Sequence, residues 1–220
     1  MRKFSILGIL ALLVFTACQK EVGFQEDANN NNGSGSGNGS GNGNAQELTG
    51  SYRFVGVDGQ TASTVSLVQS GMTARTEATG IYYTKNNVGT LLIDATKFNF
   101  SNIGYLIDTS LKVKAYMNNV LLLEQDQDWY YEMPPQTDAF AYRRVNTDSL
   151  HFPGGFTLGS SVTPPNSIGT VPPPDGARIS WSGDTLLLKM VMNVNTTVTQ
   201  AGVPNQIRAG STNVMKFKKS

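Results

Sequence analysis

Acid-base or nucleophilic chemistry needs a base beside an activated group, and the sequence offers a single histidine, His151, in the run Ser149-Leu150-His151-Phe152. No serine stands in a Gly-x-Ser-x-Gly elbow, and neither a His-Glu-x-x-His nor a Cys-x-x-Cys pair occurs, so hydrolase and zinc readings lack their first residues. A structural histidine in a strand beside a proline-rich loop is the expectation for His151. In Glu124-Gln125-Asp126-Gln127-Asp128 the acids take the first, third and fifth places, as at the start of a calcium loop. Trp129 then stands where the sharp turn needs glycine and Pro135 where the loop needs its final glutamate, which leaves a solvated turn as the simpler reading. Adjacent acids do not make a glycosidase pair either, because such carboxylates must face one bond from two sides. Trp129-Tyr130-Tyr131 and Trp181 carry stacking chemistry, and in a strand Trp129 and Tyr131 share a face opposite Tyr130. They serve either a core or an exposed sugar-stacking surface. Together these residues point to a non-enzymatic protein with no metal and no cofactor.

The only cysteine, Cys18, is set differently. Arg2 and Lys3 precede an apolar run from Phe4 to Phe15, and Thr16-Ala17 follow it. A basic start, a short apolar core and small residues describe a secretory signal, since a membrane span needs roughly 20 apolar residues. Val14-Phe15-Thr16-Ala17-Cys18 resembles the lipobox of Gram-negative lipoproteins, with Phe15 where leucine is usual. The resemblance implies removal of residues 1–17, acylation of Cys18 by fatty acids such as palmitate, and an outer-membrane address on the periplasmic or the cell-surface side. Gln19-Lys20-Glu21 and Glu26-Asp27 resemble the charged tag by which some lineages send lipoproteins to the outer face, and they serve equally as a soluble spacer.

Residues 18–44 form the tether. From Asn29 to Asn44 all sixteen residues are Asn, Gly or Ser, a composition that buries nothing and stays a flexible coil. Taking 26 residues from Gln19 to Asn44, the root-mean-square reach is roughly 28 Å. Without Arg2 and Lys3 the chain holds 15 basic and 16 acidic residues, scattered apart from Lys216, Lys218 and Lys219, which is no nucleic-acid binder's balance. The expected partner is the membrane, through the lipid.

Residues 45–220 must then fold on their own apolar core, because one cysteine makes no intrachain disulfide. Period-two patterns recur and no sustained helical period does, so the fold class is all-β. Leu111, Val113, Ala115 and Met117 alternate with Lys112, Lys114 and Tyr116, Phe98 and Phe100 with Lys97 and Asn99, and Leu186, Leu188, Met190, Met192 and Val194 with polar partners. Asn118-Asn119, Asn86-Asn87, Asn146-Thr147-Asp148 and Ser182-Gly183-Asp184 read as turns. Thirteen candidate strands follow as an upper figure, since short neighbours can merge. Many short strands joined in order predict an antiparallel meander, closed as a barrel in preference to a β-sandwich. From Pro153 to Gly176 two glycines and two proline runs predict a long loop, either a lid or an insertion without a role.

Leu48-Thr49-Gly50-Ser51-Tyr52-Arg53-Phe54 resembles the Gly-x-Trp opening of lipocalin-like proteins, with Tyr52 in place of the tryptophan. The resemblance implies that Tyr52 plugs the closed end of an up-and-down barrel and that Lys216 or Lys218 lies across it. It also implies a cavity for a small apolar ligand, and the candidate ligand-binding residues are Trp129, Tyr131, Trp181, Met190 and Met192, with Phe98 and Phe100 as further lining. A glycan bound through exposed aromatics is the alternative, as a carbohydrate-binding or structural subunit of a surface complex. Asp148-Ser149-Leu150 and Asp184-Thr185-Leu186 resemble a bacterial O-glycosylation acceptor, and turn chemistry explains them equally well.

Overall fold

A computed structural model describes residues 47–156, 158, 173–200 and 202–220. The signal at 1–17, Cys18, the tether at 18–44 and most of the proline-rich segment lie outside the described residues. Within them the chain is all-β and antiparallel, as the alternation predicts. Ten strands form one sheet: β1 (Gly50–Gln69), β2 (Met72–Tyr83), β3 (Lys85–Ile93), β4 (Lys97–Met117), β5 (Val120–Ala141), β6 (Arg143–Arg144), β7 (Ser149–His151), β8 (Gly176–Ser182), β9 (Thr185–Gln200) and β10 (Val203–Lys219).

The pairings reduce to a simple path. β2 and β3 lie end to end in one lane, because both pair β1 on one side and β4 on the other. From that lane the order runs outward to β4 and β5 in one direction, and through β1, β10, β9, β8 and β7 to β6 in the other. Only Tyr142 separates β5 from β6, so the two ends of the path sit on one run of chain.

The sequence reading splits β1, β4 and β5, and in β4 the break falls on a bulge. A bulge between Phe54 and Gly56 reverses the alternation of β1, so that Tyr52 and Phe54 point inward before it and Val57 and Thr61 after it. Register shifts between Phe100 and Ile103 do the same in β4, where Asn102 has a φ of 53°. Gly89 lies opposite, and a Cβ there would come within 2.5 Å of the Asn102 carbonyl, so only glycine fits. Asn86-Asn87, expected to turn the chain between strands, instead opens β3 as a bulge in the continuous lane, with Asn86 at a φ of 52°. Asn118 and Asn119, both at positive φ, do make the expected two-residue hairpin turn.

The core gathers at one end, here called the base, where β1 starts, β10 stops and the β3–β4 and β8–β9 turns lie. Phe98 packs edge-on against Tyr142 and Phe152, and Phe100 against Phe140 and Phe156, while Phe54 meets Phe217 at a tilt of 45°. All seven phenylalanines of the set except Phe140 are under 2% exposed, so the interior at this level is filled by rings. Phe152 directly precedes the segment expected to be a long loop, and Phe156 belongs to its start. Its described ends are pinned instead, with Phe156 N–H donating to the Pro174 carbonyl at 2.7 Å and Phe152 N–H to Asp175.

One turn at the base is held by a single carboxylate. Asp94 Oδ1 accepts from the Thr96 and Lys97 N–H groups and the Thr96 hydroxyl, and Oδ2 accepts from Asn99. These bonds favour the charged form and pull the Asp94 carboxyl from 3.8 to about 2. A folded-state value below the unfolded one means the stabilisation is complete above the unfolded value and is lost as pH falls towards about 2. We expect Asp94→Asn to lower the urea midpoint near neutral pH and to reduce the fall in that midpoint between about pH 4 and pH 2. Equal pH slopes for the two proteins would contradict this account of the turn.

Candidate functional site

Beyond the base, six strands run on past the core, and the β1–β2, β4–β5 and β9–β10 hairpins mark their far end. The inward face can be read as rows across β5, β4, β2, β1, β10 and β9. The first row holds Gly59, Asn213 and Met190, with Tyr82 paired to Gly59. A Cβ at Gly59 would sit 2.1 Å from the Tyr82 ring, so the ring lies across the glycine and its hydroxyl donates to Asn213 Oδ1 at 2.7 Å. Burial raises the Tyr82 phenol to about 12, which keeps that donor protonated. Trp129 meets Tyr82 edge-on at 5.1 Å. These two rings cap the packed interior.

Past this cap the side chains shrink. The next row carries Leu111, Thr61, Ser211 and Met192, with Leu111 lying over Gly80. The following one reads Gln125, Val113, Ala78, Ser63, Ala209 and Val194, and the one after it Leu123, Ala115, Thr76, Val65, Ile207 and Thr196. The middle lanes therefore present a floor of Gly, Ala, Ser and Thr between aliphatic flanks. Most of these residues are half-buried, whereas Leu111, Val113, Thr61 and Ile207 are buried and Gln125, Leu123 and Thr76 are exposed. The Ser211 hydroxyl is shielded from solvent and has no hydrogen-bond partner. Such a surface offers apolar contact and one spare hydroxyl.

The sequence-predicted ligand residues fall at different depths. Met190 and Trp129 are buried in the cap, Met192 stands half-buried one row further out, and Tyr131 is half-buried against the core. Trp181 lies at the base instead, 6.1 Å from the Tyr52 ring. Phe98 and Phe100 are sealed in the aromatic layer and line no opening. The small-residue floor itself escaped sequence reading, because Ala, Ser, Thr and Gly at every second position look the same as a weak solvent face.

Other expectations sort as follows. Tyr52 is fully buried, and its hydroxyl donates to the Leu48 carbonyl at 2.7 Å. Neither candidate lysine lies across it. Lys216 and Lys218 alternate with the inward Met215 and Phe217, so they face outward, where Lys216 meets Asp58 at 2.6 Å and Lys218 meets Asp184 at 3.5 Å. The acidic run forms strand in β5, not a turn. Glu124, Asp126 and Asp128 alternate onto its outer face, where Lys112 and Lys114 pair the first two and Ser110 donates to Asp128. Extended backbone spreads these carboxylates along a line. Among the described residues no group of three or more His, Cys, Asp or Glu is placed to hold a metal.

His151 is half-buried in β7 between Arg143 and Gly176. An open pocket of about 440 Å³ lies at the base rim, lined by Glu47, Leu48, Thr49, Ala95, Tyr142, Arg143 and Arg144. In both acceptor-like triplets the middle hydroxyl donates to the preceding aspartate, Ser149 to Asp148 at 3.0 Å and Thr185 to Asp184 at 3.4 Å, while Leu150 and Leu186 point inward. No helix among the described residues is long and apolar enough to cross a membrane. Comparison of the chain with family models, with curated proteins and with solved structures finds no match.

Proposed function

We propose that this chain is a lipid-anchored, non-enzymatic lipoprotein of an outer membrane, whose lipocalin-like barrel takes a small apolar ligand, or the apolar surface of a partner, at the end away from its tether. The barrel reading rests on the path of strand pairing. Tracing it from Gly50 through Ile93, Phe98 and Phe140, along to Val145, and back through Ser149, Arg178, Lys189 and Val214 returns to Asp58. The circuit comes back about a dozen residues out of step, a stagger of the kind that closing a sheet demands. The observation that carries the binding reading is the inward face beyond Tyr82 and Trp129, where small and aliphatic side chains continue across six strands after the core has ended.

Orientation supports the same view. The tether joins the domain at the base, so the far end is the part of the domain most distant along the fold from the attachment to Cys18. A covalent acyl group contributes about 0.8 kcal/mol per buried CH₂, and two or more chains hold the protein without a second membrane signal. Radiolabelled palmitate should enter the wild-type chain and not Cys18→Ser, and the serine variant should leave the membrane fraction; equal labelling of both would end the anchor reading. For the ligand, the fluorescent apolar probe anilinonaphthalene sulfonate should bind the folded full chain, and Ala209→Phe, which fills the floor, should weaken that binding with little change in the thermal midpoint. Absence of probe binding to the wild-type chain would remove the ligand and leave the partner.

A glycan-binding reading is favoured by one further observation. Tyr83 and Tyr130 are 64% and 66% exposed on the outer face. Asp108 pairs Tyr130 directly, and the register from Thr79–Lys112 to Lys85–Leu106 sets Tyr83 level with it from the other side. Two exposed rings thus flank a carboxylate that Lys85 holds at 2.9 Å, an arrangement suited to stacking on sugar faces. Affinity electrophoresis in soluble polysaccharide should show retardation of the wild-type chain that Tyr83→Ala and Tyr130→Ala each abolish; free migration of the wild-type protein would dismiss this reading.

A further inference from the structure

The most anomalous surface in the molecule is the first quarter of β5. Val120, Leu121, Leu122 and Leu123 are four consecutive aliphatic residues, 62%, 47%, 63% and 47% exposed. Among the described residues the stretch Val120–Leu123 pairs β4 on one side only, so its other side presents unpaired backbone groups. A bulge at Leu122, where Ala115 pairs Leu123 and Tyr116 pairs Leu121, leaves all four side chains in water. Met117 at 37% and Met72 at 54% extend the apolar surface across the neighbouring hairpin tips, which Asn118 and Thr73 bind together. An exposed apolar edge of this kind templates the addition of another strand, and folded proteins usually blunt it with charge, proline or a cover.

We infer that this edge is the docking site for a second copy of the same chain, joined through antiparallel pairing of β5 with its partner's β5 about a two-fold axis at Leu122 or Leu123. Charge selects that occupant and that register. Glu124 and Asp126 are already matched by Lys112 and Lys114 of their own chain, so the edge makes no demand for a basic partner. What remains free is aliphatic, and its best complement in this chain is itself. With the axis at Leu122, Glu124 lies opposite Val120 and Asp126 opposite Asn118, so no carboxylate faces another. Moving the axis to Glu124 or beyond sets acid against acid, which is destabilising in a strand pair. In the other direction the hairpin turn at Asn118-Asn119 ends the strand. A two-fold contact of this type closes on itself, whereas pairing β5 with the free side of β9 would propagate into a fibre.

The test uses single cysteines in the full chain carrying Cys18→Ser, so that the introduced thiol is the only one. Leu122→Cys or Leu123→Cys, whichever lies on the axis, should form a disulfide-linked dimer under mild oxidation several-fold faster than Val120→Cys and Asp126→Cys. Val120 is a fair control, because its exposure of 62% matches the 63% of Leu122 and random collision would treat the two alike. Sedimentation velocity of the Cys18→Ser chain should give a dimer that Leu122→Lys converts to monomer with an unchanged thermal midpoint. A monomer at every concentration, equal crosslinking at all four positions, or species that grow beyond the dimer would each overturn the inference. None of these readouts depends on ligand or lipid, so the proposal fails or stands separately from the function proposed above.

Discussion

Packing of aromatic rings at the base is the constraint from which the other features follow. The domain holds no cysteine, so no covalent bond restrains its unfolded chain. Phe98, Phe100, Phe140, Phe152, Phe156 and Phe217 instead bring three strands, β4, β5 and β10, and the chain that follows β7 into one layer. Each buried phenylalanine of this kind contributes on the order of 3 to 5 kcal/mol against truncation to alanine. Because the layer also includes Phe152 and Phe156, the chain between β7 and β8 closes the interior where ordinary strand pairing is shortest. Stability concentrated at one end releases the other. The far halves of six strands can carry small side chains and exposed edges without threatening the fold.

How much of this was legible follows from the same geometry. Alternation named the inward faces of β4 and β9 correctly, since burial on one side of a strand is a local property. It failed at each bulge. An extra residue at Val55 or near Asn102 changes the parity of everything after it, and a reader who assumes strict period two sees a strand end there. Candidate strands at 97–102 and 105–117 are one strand for this reason, whereas the split between 51–57 and 61–69 falls at Asp58-Gly59-Gln60, past the bulge at Val55. The first half of β10 was missed because Val203 to Thr212 holds only two large apolar residues, and its support comes from cross-strand partners far away in sequence.

The candidate site was harder to read, because its defining property is an absence of bulk. Gly80, Ala78, Ser63 and Ala209 mean little singly. Register makes them neighbours, and Gly59 shows why they matter: without a side chain there, Tyr82 can lie flat across two lanes and reach Asn213. The ring that stops the core is thus positioned by a residue chosen for emptiness. Trp129, which stacking chemistry made a candidate for an exposed surface, is recruited to the same cap. The aromatics left outside are its neighbours Tyr130 and Tyr83, one residue along in each strand.

Direction ties the parts together. If Cys18 carries lipid as proposed, the chain enters the domain at its aromatic base, and the hairpins at 69–72 and 117–120 lie at the opposite end, because β1, β4 and β10 run the length of the domain with bulges as their only irregularities. Surfaces that would be hazardous beside a bilayer, an aliphatic edge above all, are then placed where a second molecule can reach them. Antiparallel pairing at that edge would point the two bases in opposite directions, and tethers of roughly 28 Å reach could both find one membrane only if the pair lay along it.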